Sequence, residues 1–329
     1  MISKQHIEIE CSQLTKTGQD VCGDDFKVRR IDEESRYIAV LSDGLGSGIK
    51  ANLLANMTTT MALRFVRQNM DIVQSSEIIM DCLPVCDVRK ISYSTFTVAD
   101  IFKNGETRII EMDNPGYIHL RNCVDVKHDK QAQVSHNWPD RKLLVSRFQA
   151  YPEDRLIFFS DGVTQAGLGY PGHKFGWKRE GCLEFITTLL KRDPDISARD
   201  LAQSIVLEAV AKNPERKCAD DTSCCVIYFR VPRKLLLLTG PPFRHEDDSE
   251  FARRFNIFEG KKIISGGTTA SIIGRELNLE LKPHLPAPGE WLPAPSEMDG
   301  ADLVTEGILT LTETVKHLES GSTNPPPAV

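Results

Sequence analysis

Two apolar runs in this chain stop on the same three residues. Tyr37-Ile38-Ala39-Val40-Leu41 leads into Ser42-Asp43-Gly44, and Arg155-Leu156-Ile157-Phe158-Phe159 leads into Ser160-Asp161-Gly162. A short continuous apolar run bounded by turn residues reads as a buried strand. Each is therefore a rigid stem with a carboxylate at its tip and a glycine beyond, where backbone can approach a ligand closely. A fold that buries both stems and brings both tips to one end gathers acid there, and the pattern predicts a metal centre. More carboxylate stands at other strand margins: Asp20 and Asp24-Asp25 upstream, and Asp220-Asp221 ahead of the apolar run 224–229. A single Ser-Asp-Gly is better explained as turn chemistry. The joint pattern is hard to assemble from unrelated turns.

Around these stems the chain reads as strands at 7–11, 25–30 and 37–42, followed by helices at 49–68 and 74–83. In the first helix Ile49, Leu53, Met57 and Met61 recur every four residues, with Leu54 and Phe65 widening the stripe, which predicts the buried face. Strands return at 93–100, 107–113 and 117–121, with turn chemistry at Asn114-Pro115-Gly116. A strand at 153–160, helices at 180–191 and 197–212, and a last strand at 224–231 close the region. The second of those helices sets Ile196, Leu201, Ile205 and Ala209 on one side. Strands and paired helices in this order predict an α+β layered sandwich and not a regular βαβ sheet.

Pro232-Arg233 reads as a seam between a domain at 1–232 and a small α/β domain at 233–320. The second domain is expected to carry strands at 234–239, 262–265 and 302–305 and helices at 246–255, 266–277 and 307–318. The proline-rich stretch 283–296 is an extended loop, and 321–329 is a disordered tail or the mark of a chain cut short. Gly266-Gly267-Thr268-Thr269 between strand and helix suits an anion cradle, or equally a glycine turn with a threonine N-cap. Thr239-Gly240-Pro241-Pro242 holds a similar position, and the two loops together could frame a ligand site. A regulatory or partner-binding role is expected for this domain, through a small-molecule effector, with a homodimerisation module as the alternative.

Composition narrows the classes. A net charge of −6 argues against a nucleic-acid-binding surface. The first ten residues alternate like a strand and lack a signal-peptide core, and no stretch approaches the roughly 18 apolar residues needed to span a bilayer. A cytoplasmic protein without a membrane anchor is expected. Nine cysteines, an odd number, fit reduced thiols. Cys82-x-x-x-Cys86 lacks the further ligands of a zinc site.

Carboxylates gathered from distant positions suit magnesium or manganese, which prefer oxygen ligands. Asp43 is the natural bridge between two such ions, which can share a hydroxide and neutralise a phosphate under in-line attack. Gly44-x-Gly46-x-Gly48 is not a dinucleotide fingerprint, because Ile49 stands where the third glycine belongs.

Taken in order, Gly23-Asp24 with Phe26, Ser42-Asp43-Gly44-Leu45-Gly46-Ser47-Gly48, Asn114-Pro115-Gly116, Ser160-Asp161-Gly162-Val163-Thr164 and Asp220-Asp221-Thr222 resemble a known set. Residues from about 6 to 231 are similar to the bacterial stage II sporulation protein E-type serine phosphatases, within the type 2C metal-dependent phosphatase superfamily. The resemblance implies a four-layer α-β-β-α sandwich with two divalent ions, manganese or magnesium, at one end. By position, Asp24, Asp43 and the Gly44 carbonyl would hold one ion, and Asp43, Asp161 and Asp220 the other. Asp25 and Asp221 could exchange roles with their neighbours. The implied activity is hydrolysis of phosphoserine or phosphothreonine on a regulatory protein, such as an anti-sigma-antagonist-like one, by a metal-bridging hydroxide. Leu45 and Ser47 stand where many relatives carry histidine, so no histidine is placed there as general acid. The alternative is a catalytically silent pseudophosphatase that binds phosphoproteins.

Overall fold

The computed structural model describes residues 5–83, 94–135, 137, 142–170, 172–285 and 292–320. It divides into two compact units, Met1–Pro232 and Arg233–Val329.

In the first unit, strands β1 (His6–Leu14), β2 (Asp24–Ile31) and β3 (Arg36–Gly44) precede helices α1 (Gly48–Arg67) and α2 (Ile72–Cys82). Then come β4 (Ser94–Phe102), β5 (Glu106–Met112), β6 (Ile118–Arg121), β7 (Val124–Asp125), β8 (Gln131–Val134), β9 (Lys142–Gln149) and β10 (Arg155–Phe159). The one-turn α3 (Asp161–Thr164), α4 (Lys178–Arg192), α5 (Ala198–Lys212) and β11 (Thr222–Arg230) complete it. One sheet runs β1-β11-β10-β6-β7 and the other β2-β3-β4-β5-β9-β8. Neighbouring strands in both are antiparallel.

The continuous apolar runs have a direct cause. Successive side chains of a strand point to opposite faces, and both faces of the central strands are covered. In β3, Ile38 and Val40 enter a core beneath α1 and α2, while Ala39 and Leu41 enter a core between the sheets. In β10, Leu156 and Phe158 join the inter-sheet core, while Ile157 and Phe159 meet α4 and α5. β11 divides likewise, with Cys225, Ile227 and Phe229 inward and Cys224, Val226 and Tyr228 toward the helices. Three cores thus separate four layers, helix, sheet, sheet and helix.

The α1 stripe is a correction. Ile49 and Leu53 are 76% and 52% exposed, whereas Ala51, Ala55, Thr58 and Ala62 are buried. The helix lies so close to β3 that small side chains face the sheet, and Met57 and Met61 pack only at the margin of the core. Strands β7, β8 and β9 and the turn α3 also went unforeseen. In β9 the signal was present, since Leu143 and Val145 alternate into the core under α1 and α2. The eight described cysteines are free; Cys86 and the tail 321–329 lie outside the described residues.

The second unit is a three-stranded parallel sheet, β12 (Leu235–Thr239), β13 (Lys261–Ser265) and β14 (Leu303–Thr305), in that order. Helices α6 (Asp248–Ile257), α7 (Gly267–Leu277) and α8 (Ile308–Ser320) accompany it. Leu238, Ala252, Phe255, Ile264, Ala270, Ile273 and Val304 form its core. Thr239, Ser265 and Thr305 end the strands side by side. Gly266 caps α7 with φ of 122°, and Thr268 and Thr269 lie inside the helix, so the threonine-cap alternative does not hold.

Candidate metal centre

Strand ends place the acids. Asp24 and Asp43 face each other in register across β2 and β3. Asp161 begins α3 directly after β10, and Asp220-Asp221 precede β11, which pairs with both β10 and β1. The serines of the two Ser-Asp-Gly tips are latches. Ser42 Oγ donates to the Thr95 carbonyl at 2.7 Å, and Ser160 Oγ accepts the Ser223 amide at 3.0 Å. Each tip is thereby tied to the next strand.

The glycines answer to protein contacts more than to a ligand. A Cβ at Gly44 would lie 2.0 Å from the Ala51 carbonyl oxygen, and one at Gly162 would lie 2.1 Å from that of Asp221. The first glycine lets α1 close onto β3; the second lets α3 close onto the residues before β11.

Asp43 and Asp161, both half-buried, lie close enough for each carboxyl to act on the other. Burial, and then the negative charges of Asp24, Asp161 and Asp220, push Asp43 up to about 9. Asp24 is pushed up to about 7, first by burial and further by Asp221 and Asp161, against hydrogen bonds from Ser223 and Ser160. Asp161 is raised by burial and by Asp220. Its Oδ2 accepts from Gln165 Nε2 at 2.7 Å. Asp24 is 3% exposed; Ser223 Oγ donates to its Oδ2 at 2.6 Å, and its Oδ1 has no partner.

Two neighbours are occupied otherwise. Asp25 accepts from Lys27 Nζ at 2.8 Å and from Thr59 of α1, on the opposite face of β2 from Asp24. Asp221 accepts the Lys16 amide at 2.9 Å, and Lys16 Nζ stands 3.4 Å from the half-exposed Asp220. Asp220, and not Asp221, is the partner whose charge weighs on both Asp43 and Asp161. Lys16, Gln165 and Ser223 were not anticipated from sequence.

The family model for Stage II sporulation protein E (SpoIIE) matches residues 33–230, from the start of β3 through β11. The chain belongs to the SpoIIE family. Among solved structures, the SpoIIE phosphatase domain from Bacillus subtilis, in a crystal form without domain swapping, aligns with a TM-score of 0.53 at 16% identity. That alignment covers 73% of this chain and 99% of that one. The B. subtilis SpoIIE PP2C phosphatase domain with a fragment of its regulatory domain gives 0.54 at 18% identity, over 70% of this chain and 65% of that one. The RsbU and RsbW domains of Rv1364c from Mycobacterium tuberculosis give 0.56 at 13% identity, over 77% and 70%. At such identities the likeness is one of fold. No curated protein matches the chain in sequence.

In this SpoIIE-family chain the acids meet the electrostatic requirement of a cation site. Asp24, buried, and Asp43 and Asp161, half-buried, are raised by burial and by neighbouring acids, and the bare Asp24 Oδ1 is a buried acceptor without a donor. Among the described residues, no three His, Cys, Asp or Glu side chains are already drawn together tightly enough to hold an ion. No helix among the described residues is long and apolar enough to cross a membrane.

Proposed function

We propose that this chain is a metal-dependent phosphatase acting on phosphoserine or phosphothreonine of a regulatory protein. The observation that carries the proposal is the facing of Asp24 and Asp43 in register across β2 and β3, with the charges of Asp161 and Asp220 close enough to weigh on Asp43. Asp24, Asp43, Asp161 and Asp220, with the Gly44 carbonyl, are the groups that would hold magnesium or manganese. When bound, such ions neutralise phosphoryl oxygens and make water nucleophilic near neutral pH.

The chain's own residues supply orientation. Asp24 and Asp43 stand on rigid paired strands, and Ser94 Oγ donates to the Asp43 carbonyl at 2.8 Å. Gln165 fixes Asp161, and Ser223 fixes Asp24. Lys16 holds an ammonium beside Asp220, where it can meet an anionic substrate. Membership of the SpoIIE family supports this reading, and a bacterial phosphoprotein of the anti-sigma-antagonist kind is the substrate class it suggests.

A pseudophosphatase is the second reading, favoured by the carboxylates being near but not gathered. Manganese-dependent phosphate release from a phosphoserine peptide separates the two. Loss of that release in both Asp43→Asn and Asp161→Asn supports the enzyme, and no release from the wild type supports the scaffold. For the C-terminal unit we propose an effector- or partner-binding role, supported by the row of Thr239, Ser265 and Thr305 at the carboxyl ends of parallel strands, where ligands of open α/β sheets bind.

A further inference from the structure

Between α3 and α4 the chain makes a loop, 165–177, whose return is pinned to its start. A Cβ at Gly176 would lie 2.6 Å from the Thr164 carbonyl oxygen and 2.9 Å from Gln165 Cα. Gln165 in turn donates to Asp161 at 2.7 Å. The loop is therefore held one side chain away from an acid of the candidate metal centre.

Between this loop and α4 lies a groove of about 600 Å³. Lys174, Phe175, Trp177, Lys178 and Lys212 line it, with Glu184 as its carboxylate. Its charge runs against that of the whole chain, which is −6. Lys212 is already engaged, 2.6 Å from Glu208 and 5.3 Å above the Trp177 ring. Lys174 and Lys178 are not: neither makes an ion pair with a described residue, and both ammonium groups sit over the Phe175 ring, at 5.6 and 4.9 Å. That ring is 66% exposed, while Trp177 is 7% exposed and meets Phe185 edge-on.

Exposed lysines commonly serve solubility alone, and for that they repel one another into solvent. Here two ammonium groups without an ion pair among the described residues share one exposed aromatic ring. Such a surface offers charge to carboxylates and an apolar plate to the chain that bears them. We propose that this groove docks an acidic segment of the phosphoprotein substrate, flanking the phosphorylated residue. That the occupant is a substrate rests on the phosphatase reading above; the groove's preference for an acidic segment does not.

The test uses the full chain and two fluorescein-labelled phosphoserine peptides, one flanked by Glu and Asp, the other by Gln and Asn. Fluorescence anisotropy at low salt reads binding, and p-nitrophenyl phosphate turnover with manganese reads the metal centre separately. The acidic peptide should bind about tenfold more tightly, as two or three exposed ion pairs allow, and added salt should close the gap. The double variant Lys174→Glu, Lys178→Glu should erase the preference and leave p-nitrophenyl phosphate turnover unchanged; Phe175→Ala should weaken both peptides. Equal binding of the two peptides by the wild type, or a preference that survives in the double variant, overturns the proposal. Absence of p-nitrophenyl phosphate turnover in the wild type would instead count against the phosphatase reading, with the binding data still deciding the groove.

Discussion

Gly44→Ala isolates the step by which α1 is seated on β3. The added Cβ would lie 2.0 Å from the Ala51 oxygen, 2.7 Å from its carbonyl carbon and 3.0 Å from its Cα. All three are backbone atoms of the first turns of α1, so no side-chain rotation relieves the clash. The helix must retreat by roughly 1 Å, and the contacts of Leu54 and Ala55 loosen with it. Overpacking typically costs about 1–3 kcal/mol; with backbone as the obstacle, about 3 kcal/mol is expected. In a unit of this size each kcal/mol lowers Tm by about 2–4 °C, giving a drop of roughly 6–12 °C. Thermal unfolding followed by circular dichroism measures it. Gly116→Ala is the control, because its Cβ would meet only the flexible end of Lys130, at 3.5 Å. The drop should appear for Gly44 alone. A Gly44→Ala protein melting within about 1 °C of wild type would refute the close-approach role of this glycine.

Two further outcomes concern the acids and the seam. Asp24 and Asp43 have folded-state values of about 7 and about 9, above their ordinary 3.8. Their contribution to stability is then fully present below that ordinary value and lost as pH rises through the folded values. With metal chelated, Tm should fall between about pH 5 and pH 9, and manganese should raise it more at the alkaline end; a flat profile, or an equal gain throughout, contradicts this. A chain ending at Pro232 should fold by itself, because the two units are separately compact; aggregation, or loss of a cooperative melt in that fragment, would show that the seam is misplaced.

The strands legible in the sequence were those buried on both faces, such as β3, β10 and β11, whose runs are apolar throughout. β8 is the edge strand of its sheet and β9 stands beside it, and Gln131, Gln133, Lys142, Arg147 and Gln149 break up their apolar pattern. Ile49 and Leu53 misled because a helix that must approach β3 closely is selected for alanine and threonine on its inner face, leaving large apolar residues outside. At the candidate site, Asp43 and Asp161 were legible from the repeated motif. Asp24 and Asp25 stood apart only once strand register gave them opposite faces. Lys16 and Ser223 were illegible because they reach Asp221 and Asp24 across some two hundred residues of chain. Local pattern carries no trace of such contacts.

The measurement that bears most directly on the account is phosphate release from a phosphoserine peptide, with and without manganese, by the wild type and by Asp43→Asn. The account predicts release by the wild type that depends on the metal, and release at background level in the variant at any metal concentration. Metal-dependent release that survives in Asp43→Asn would contradict it, for the acid common to both proposed ion sites would then be dispensable.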